Sequence, residues 1–186
     1  MLQRAVFLDR DGVLNIAVMQ NGKSRPPLDA ADLEIYPEAK EAVAALHRAG
    51  YLAICVTNQP DVARGARTLA EVEAMNQKVF RALNLNDIFT CPHDDKDGCL
   101  CRKPKPGMLL AAAQKWGVDI GASWMVGDRK GDIAAGRNAG CRTVFIDRGY
   151  AEGGPEIPAD HTCRSVADAA AFILKNTPGE ETFSAP

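Results

Sequence analysis

The sequence reads as an α/β domain with a mainly parallel sheet flanked by helices, on three grounds. Short apolar runs alternate with longer segments of helical periodicity. The runs lack polar alternation, as strands buried on both faces do. Several of them end on Asp, Thr or Cys, where such sheets place their ligands, beyond the carboxyl ends of the strands.

The first run, Ala5–Leu8, stops at Asp9 and predicts a buried strand. Residues 15–33 hold no sustained period and contain Asn21-Gly22 and Pro26-Pro27, so they are read as a loop serving as a small lid. Pro37 opens a helix through Arg48, with Ala42, Leu46 and Ala49 on one face and Gly50 after it. Leu52–Val56 is a second strand running into Thr57-Asn58-Gln59-Pro60. Thr68 and Glu71 form a capping box for a helix to about Leu83. Ile88–Thr90 is a weak strand that enters a Cys/His segment. Pro106–Trp116 is a helix closed by Gly117. Trp124–Val126 and Thr143–Ile146 are strands, and Asp132–Ala139 and Val166–Lys175 helices. The expected organisation is one domain over residues 1–176 and a frayed tail over 177–186.

Composition narrows the partners. The chain has 186 residues, of which 46% are hydrophobic and 25% charged, enough for one full core without staples. Lys and Arg number 22 against 24 Asp and Glu, so no general basic excess exists to grip a nucleic-acid backbone. No apolar run approaches a membrane span, and Asp9 interrupts any secretory leader. A cytoplasmic monomer acting on a small molecule is expected.

Asp9-Arg10-Asp11-Gly12 puts two carboxylates just past a buried strand, and Gly127-Asp128-Arg129-Lys130-Gly131-Asp132 puts two more past another. Asp and Gly are also ordinary turn residues. Two acidic clusters at one sheet edge, however, repel each other unless a hard cation such as Mg²⁺ lies between them. Thr57 and Asn58 add a hydroxyl and an amide, and Lys103 a cation. Phosphoryl transfer uses such groups, since its catalysis is chiefly positioning and charge stabilisation.

Of six cysteines, Cys91, Cys99 and Cys101 crowd together beside His93. Their grouping argues for a metal rather than a disulfide framework. Three thiolates and an imidazole are the donor set of a closed tetrahedral zinc site, which is structural because no position stays open. The polar Asp94–Gly98 stretch between the pairs cannot form its own core, so a metal would order it.

Phe7–Gly12, Val56-Thr57-Asn58, Lys103-Pro104 and Val126-Gly127-Asp128 with Asp132 resemble the four ordered motifs of the haloacid dehalogenase superfamily. Cys91-Pro92-His93, Cys99-Leu100-Cys101-Arg102-Lys103-Pro104 and Pro106-Gly107-Met108 resemble, within it, a branch of phosphatases for a sugar bisphosphate or histidinol phosphate. The resemblance implies a Rossmann-like fold with a minimal cap and a zinc-bound loop at residues 91–101. It implies Asp9 as nucleophile, Asp11 as acid–base, and Thr57 and Lys103 as holders of the phosphoryl group. Mg²⁺ would take Asp9, the Asp11 carbonyl and Asp128; Asp132 is read as orienting, with direct ligation open. Asn58, Arg64, Arg102 and Arg129 are the expected substrate-side residues, and a sugar bisphosphate the expected partner. Asp61 stands where many branch members carry glycine, and its charge opposes an anionic group nearby.

Two other classes remain. A phospho-accepting receiver domain also uses acids, a lysine and Mg²⁺, but holds its aspartate on a middle strand and has no use for Asp11. A zinc-ordered interaction module leaves both acidic clusters unexplained.

Overall fold

The computed structural model describes residues 2–20, 23–151 and 153–177, with the backbone alone at Lys23. Asn21, Gly22 and nearly all of the expected tail, 178–186, lie outside the described residues.

Six strands form one sheet: β1 (Arg4–Leu8), β4 (Tyr51–Asn58), β5 (Asp87–Cys91), β6 (Trp124–Gly127), β7 (Arg142–Ile146) and β8 (His161–Cys163). Their order is β5-β4-β1-β6-β7-β8, every pairing parallel. The pairing sets Leu8 opposite Cys55 on β4 and Val126 on β6, so β1 and β6 end nearly level while β4 runs on to Asn58. From β1 the chain turns to one side of the sheet through β4 and β5, then returns to the other through β6. The crevice at that reversal, outside the carboxyl ends of β1 and β6, is where a ligand fits an open α/β sheet.

Side chains alternate across β1. Val6 and Leu8 face a core formed with α1 (Ala39–Arg48), α2 (Leu69–Leu83) and α5 (Val166–Lys175). Ala5 and Phe7 face a second core under α3 (Gly107–Trp116), to which α4 (Lys130–Ala139) adds Ala135. All four of these β1 residues are fully buried, which explains the unbroken apolar run. At α2 the expected capping box is present, Thr68 Oγ1 accepting from the Glu71 amide while Glu71 accepts from Thr68. Gly117, left-handed at φ 63°, closes α3 as its sequence position required.

Two elements differ from the sequence reading. The segment read as a loop contains an antiparallel hairpin, β2 (Val18–Gln20) with β3 (Lys23–Arg25). Its β2 residues are all exposed, so it has no apolar face to leave a period-two pattern. The short edge strand β8 was also missed, its exposed Thr162 lying between half-buried His161 and Cys163. The first helix starts at Ala39, two residues after Pro37. Among the described residues no helix is long and apolar enough to cross a membrane.

Candidate active site

Asp9 leaves β1 with its amide still bonded to the Val126 carbonyl of β6 at 3.0 Å, which fixes the first motif against the fourth. Lys103 Nζ lies 2.8 Å from Asp9 Oδ1 and 2.6 Å from Asp132 Oδ1, and donates to the Val56 carbonyl at 2.7 Å. Burial alone would lower this ammonium, but Asp132 and Asp9 reverse the effect and raise it. The lysine is therefore a fixed cation. Asn58 holds its main chain: Nδ2 donates to the Lys103 carbonyl at 3.0 Å and Oδ1 accepts from the Lys103 amide at 3.1 Å. The amide expected to face substrate is committed to placing the lysine.

Ligand atoms of Asp9, Asp128 and Asp132 lie within 4.8 Å of one another. Asp9 is pushed up to about 6 by burial and the Asp132 charge, with Lys103 opposing. Asp128 is raised further, by burial and then by Asp9 and Asp132. Both Asp128 oxygens are buried without a well-formed hydrogen bond, although the Tyr150 hydroxyl stands close. Asp132 is engaged instead, one oxygen on Lys103 and the other on the Arg129 amide at 3.0 Å. An all-oxygen set of crowded acids, with both Asp128 oxygens unsatisfied, fits Mg²⁺, and Asp132's engagement suits an orienting role.

Two glycines make this crowding possible. A Cβ on Gly12, whose φ is 91°, would overlap the Asp128 carboxylate. One on Gly127 would overlap the Asp132 side chain.

Asp11 is enclosed differently. Arg10 Nη2 approaches its Oδ2 at 2.9 Å, Gln59 Nε2 donates to the same oxygen at 2.8 Å, and Asn15 Nδ2 to Oδ1 at 3.0 Å. Burial would raise Asp11, but the Arg10 charge and these donors hold it below the usual carboxylate range. Gln59 also donates to Thr57 Oγ1 at 2.9 Å, linking the two candidate residues. Sequence reasoning passed over Gln59 and Asn15, since polar residues beside a motif look like turn formers.

A cavity of about 810 Å³ opens over this floor, lined among others by Asp9, Asp11, Thr57 and Lys103. Arg64, Arg102 and Arg129 reach its walls. Arg64 is clasped by Asp94, with Nε 2.8 Å from Oδ2, and more loosely by Asp61 at 3.4 Å. Arg102 pairs with the exposed Asp95 at 2.7 Å, and Arg129 donates to the Ser24 carbonyl of β3 at 2.7 Å. The wall also takes in Arg25 of β3 and Lys130 of α4, neither singled out in the sequence.

Beyond the cavity, Cys91 Sγ lies 3.2 Å from Cys101 and 3.7 Å from Cys99, and His93 Nδ1 lies 3.3 Å from Cys101. Sulfurs about 2.3 Å from one tetrahedral zinc stand about 3.8 Å apart, so the four atoms nearly outline that tetrahedron. Burial would raise Cys99, but main-chain donors and the neighbouring thiols bring it down to about 7. The donor set is that of zinc.

Asp9 at the end of β1, Thr57 on β4, the buried Lys103 and Asp132 thus meet on the floor of one cavity, with Asp128 beside them, where an anionic group and a hard cation could be held together. The haloacid dehalogenase-like hydrolase family model matches residues 27–140, and the chain belongs to that family. A Pseudomonas aeruginosa protein named D-glycero-beta-D-manno-heptose-1,7-bisphosphate 7-phosphatase is 38% identical over 155 residues, covering 80% of this chain and 84% of that one. The Bordetella bronchiseptica protein of the same name is 34% identical over 183 residues, covering 92% and 98%. A crystal structure of D,D-heptose 1,7-bisphosphate phosphatase from B. bronchiseptica, complexed with magnesium and phosphate, superposes with a TM-score of 0.79 at 32% identity, covering 92% of this chain and 98% of that one.

Proposed function

We propose that the protein is a Mg²⁺-dependent phosphomonoesterase that removes the 7-phosphate of D-glycero-D-manno-heptose 1,7-bisphosphate through an aspartyl-phosphate. The observation that carries this reading is the Asp9–Lys103–Asp132 ion chain beside Asp128, in a chain 38% identical to a phosphatase of that name.

In the first step an Asp9 carboxylate oxygen attacks phosphorus in line, and the bond from phosphorus to the sugar oxygen breaks. The Asp11 carboxyl gives its proton to the departing alkoxide. In the second step Asp11, now ionised, takes a proton from water as the water oxygen attacks phosphorus. The bond to Asp9 breaks, restoring its carboxylate and releasing inorganic phosphate. The donors around Asp11 favour the ionised form needed for the second step. The negative charge of an arriving phosphate opposes them and favours the protonated form needed for the first. Thr57 Oγ1 and Lys103 Nζ hold the phosphoryl oxygens. Asp9, the Asp11 carbonyl and Asp128 would hold Mg²⁺, which when bound neutralises phosphoryl charge so that an anionic nucleophile can approach. Zinc at Cys91, His93, Cys99 and Cys101 braces the loop that delivers Arg102 and Lys103.

Arg102, with its partner Asp95 exposed, is the readier contact for a distal phosphate. Arg64 must first leave Asp94 and Asp61, and Arg129 serves by tying the hairpin to the site. The reading includes a monomer, and a cytoplasmic location in keeping with six cysteines that form no disulfide.

The test is phosphate release, with and without Mg²⁺, from both heptose 1,7-bisphosphate anomers, fructose 1,6-bisphosphate and histidinol phosphate. A preference for one heptose anomer with kcat/KM above about 10⁴ M⁻¹s⁻¹ is expected. Preference for histidinol phosphate, or slow and even turnover, would move the substrate elsewhere; no Mg²⁺-dependent release would end the phosphatase reading.

A further inference from the structure

The Arg10 guanidinium is wholly buried, yet the reaction proposed above gives it no task. Besides Nη2, its Nε approaches Asp11 Oδ1 at 3.4 Å, so one edge of the guanidinium grips the carboxylate. A guanidinium only donates, so the opposite nitrogen needs an acceptor. Asn76 Oδ1, on the buried face of α2, supplies it at 2.8 Å from Nη1. The same amide donates through Nδ2 to Thr90 Oγ1 of β5 at 2.9 Å. Because Arg10 can only donate, it takes Oδ1 and leaves Nδ2 for the Thr90 hydroxyl, and that second bond anchors the amide in place. Asn76 is only 2% exposed and stands among Val72, Met75 and Val79, where a polar side chain is tolerated because both its ends are matched.

We propose that Asn76 is a positioning residue for Asp11, acting through Arg10. The inference rests on Asp11 being the acid–base of the phosphatase reaction. Asp11 lies beyond the sheet, in a turn where the Arg10 carbonyl accepts the Leu14 and Asn15 amides, so no strand pairing on the sheet aims its carboxyl. Side chains must do so. Gln59 and Asn15 hold the carboxyl from two directions, and Arg10 holds it from the third, provided Arg10 is itself held. Without Asn76 the guanidinium keeps a buried donor unpaired and turns to satisfy it, carrying the carboxyl off the line to the leaving oxygen. A displacement of about 1 Å at a reacting group costs up to about 10²-fold in rate.

An acid that is badly aimed leaves a signature that general loosening does not. Protonation matters for an alkoxide leaving group and hardly at all for nitrophenolate. The experiment compares kcat/KM, which reports steps through departure of the alcohol, for p-nitrophenyl phosphate and for the alkyl phosphate that the wild type hydrolyses fastest. For Asn76→Ala the alkyl value should fall about 10-fold or more and the aryl value by less than about 3-fold. Thr90→Val keeps the shape of β5 and removes only the anchor at Nδ2, leaving the amide freer to shift, so it should move the ratio the same way and less. Val79→Ala, a cavity on the same helix face away from the chain of bonds, should lower both values alike or neither. Equal losses on both esters in Asn76→Ala and Thr90→Val, or no loss in either variant, would overturn the proposal. Should Asn76→Ala fail to fold, Thr90→Val decides by the same ratio. A wild type that hydrolyses neither ester would overturn the phosphatase reading itself, and this inference with it.

Discussion

Two clusters of ligand-bearing side chains serve one loop-and-strand region, and they are built in opposite ways. The oxygen cluster gathers Asp9 from the end of β1, Asp128 from the end of β6 and Asp132 from α4. The sulfur cluster is contained within residues 91–101. In the first, like charges are pressed together by the fold, and Asp9 and Asp128 are both raised by burial and by neighbouring acids. In the second, the core holds Cys91, with Cys99 and Cys101 against it, but the stretch between the ligand pairs adds none of its own, the 3-10 turn at Asp95–Asp97 contributing no buried residue. The oxygen cluster should therefore cost stability and give activity; the sulfur cluster should give stability and touch activity only indirectly. Lys103 joins the two, its side chain in the first cluster and its backbone two residues past the last thiol.

The comparison breaks most decisively at Asp9. Asp9→Asn should lower kcat by about 10⁴-fold or more, since a carboxamide of the same shape is a poor nucleophile. Its melting temperature should stay level or rise, because one of three crowded charges is gone. Wild-type turnover would remove Asp9 from the mechanism; a large fall in melting temperature would show the cluster to be a net stabiliser. Gly127→Ala should come next. Its methyl displaces Asp132 and so loosens Lys103, and kcat/KM should fall about 10²-fold while the metal content of the sulfur site holds. Unchanged kinetics would mean that Asp132 orients nothing.

How much of each cluster the sequence disclosed follows from the same difference. The sulfur site is local, so its Cys/His donors stood together in the sequence, although zinc rested on the donor set and the resemblance as well as on spacing. The oxygen site is not local, yet Asp9, Thr57, Lys103 and Asp128 stood out because each follows an apolar run or lies in a recognised motif. Asn58 was found but its role was misjudged: spacing places an amide near the site and cannot say that both ends are spent on Lys103. What stayed hidden are groups without periodicity or motif. Asn76 occupies a helix whose apolar pattern it interrupts, and a single polar residue there reads as surface. Tyr150 sits in a stretch with no repeat, and only the tertiary fold brings its hydroxyl beside Gly12 and Asp128. The hairpin β2–β3 carried a turn signal, Asn21-Gly22, but no buried face to confirm it.

The sulfur side is sharpened by Cys99→Ser. Zinc measured by elemental analysis should drop from about one per chain toward none. The melting temperature should fall by about 5–10 °C, what a loss of about 2–3 kcal/mol does to a domain of this size. Activity should fall by about 10-fold, through Lys103, and KM should rise with it as the loop loosens. Full activity in a folded, zinc-free variant would separate the clusters and show that Lys103 is placed by Asn58 alone.

The smallest effect supplies the baseline for acid sensitivity, and it lies away from both metal sites. Asp160 accepts from the Thr143 amide at 2.6 Å and from its hydroxyl at 3.0 Å, and pairs with Arg137 at 2.9 Å. Burial would raise it, but these donors hold it below the usual carboxylate range. A carboxyl depressed on folding adds stability that is full above its unfolded value, about 3.9, and fades as pH falls through its folded value. Asp160→Asn should therefore melt slightly below the wild type at pH 7, with the gap closing as pH falls below the unfolded value and through the folded one. A gap that persists there would mean Asp160 acts by shape rather than charge. Acid loss common to both proteins then comes from other carboxyls held low, among them Asp11, Asp87, Asp94 and Asp95, and from the metal-type clusters, where carboxylates and thiolates must shed protons to bind. Repeating the titration in Cys99→Ser measures the sulfur cluster's share: whatever part of the common loss disappears there belongs to sulfur.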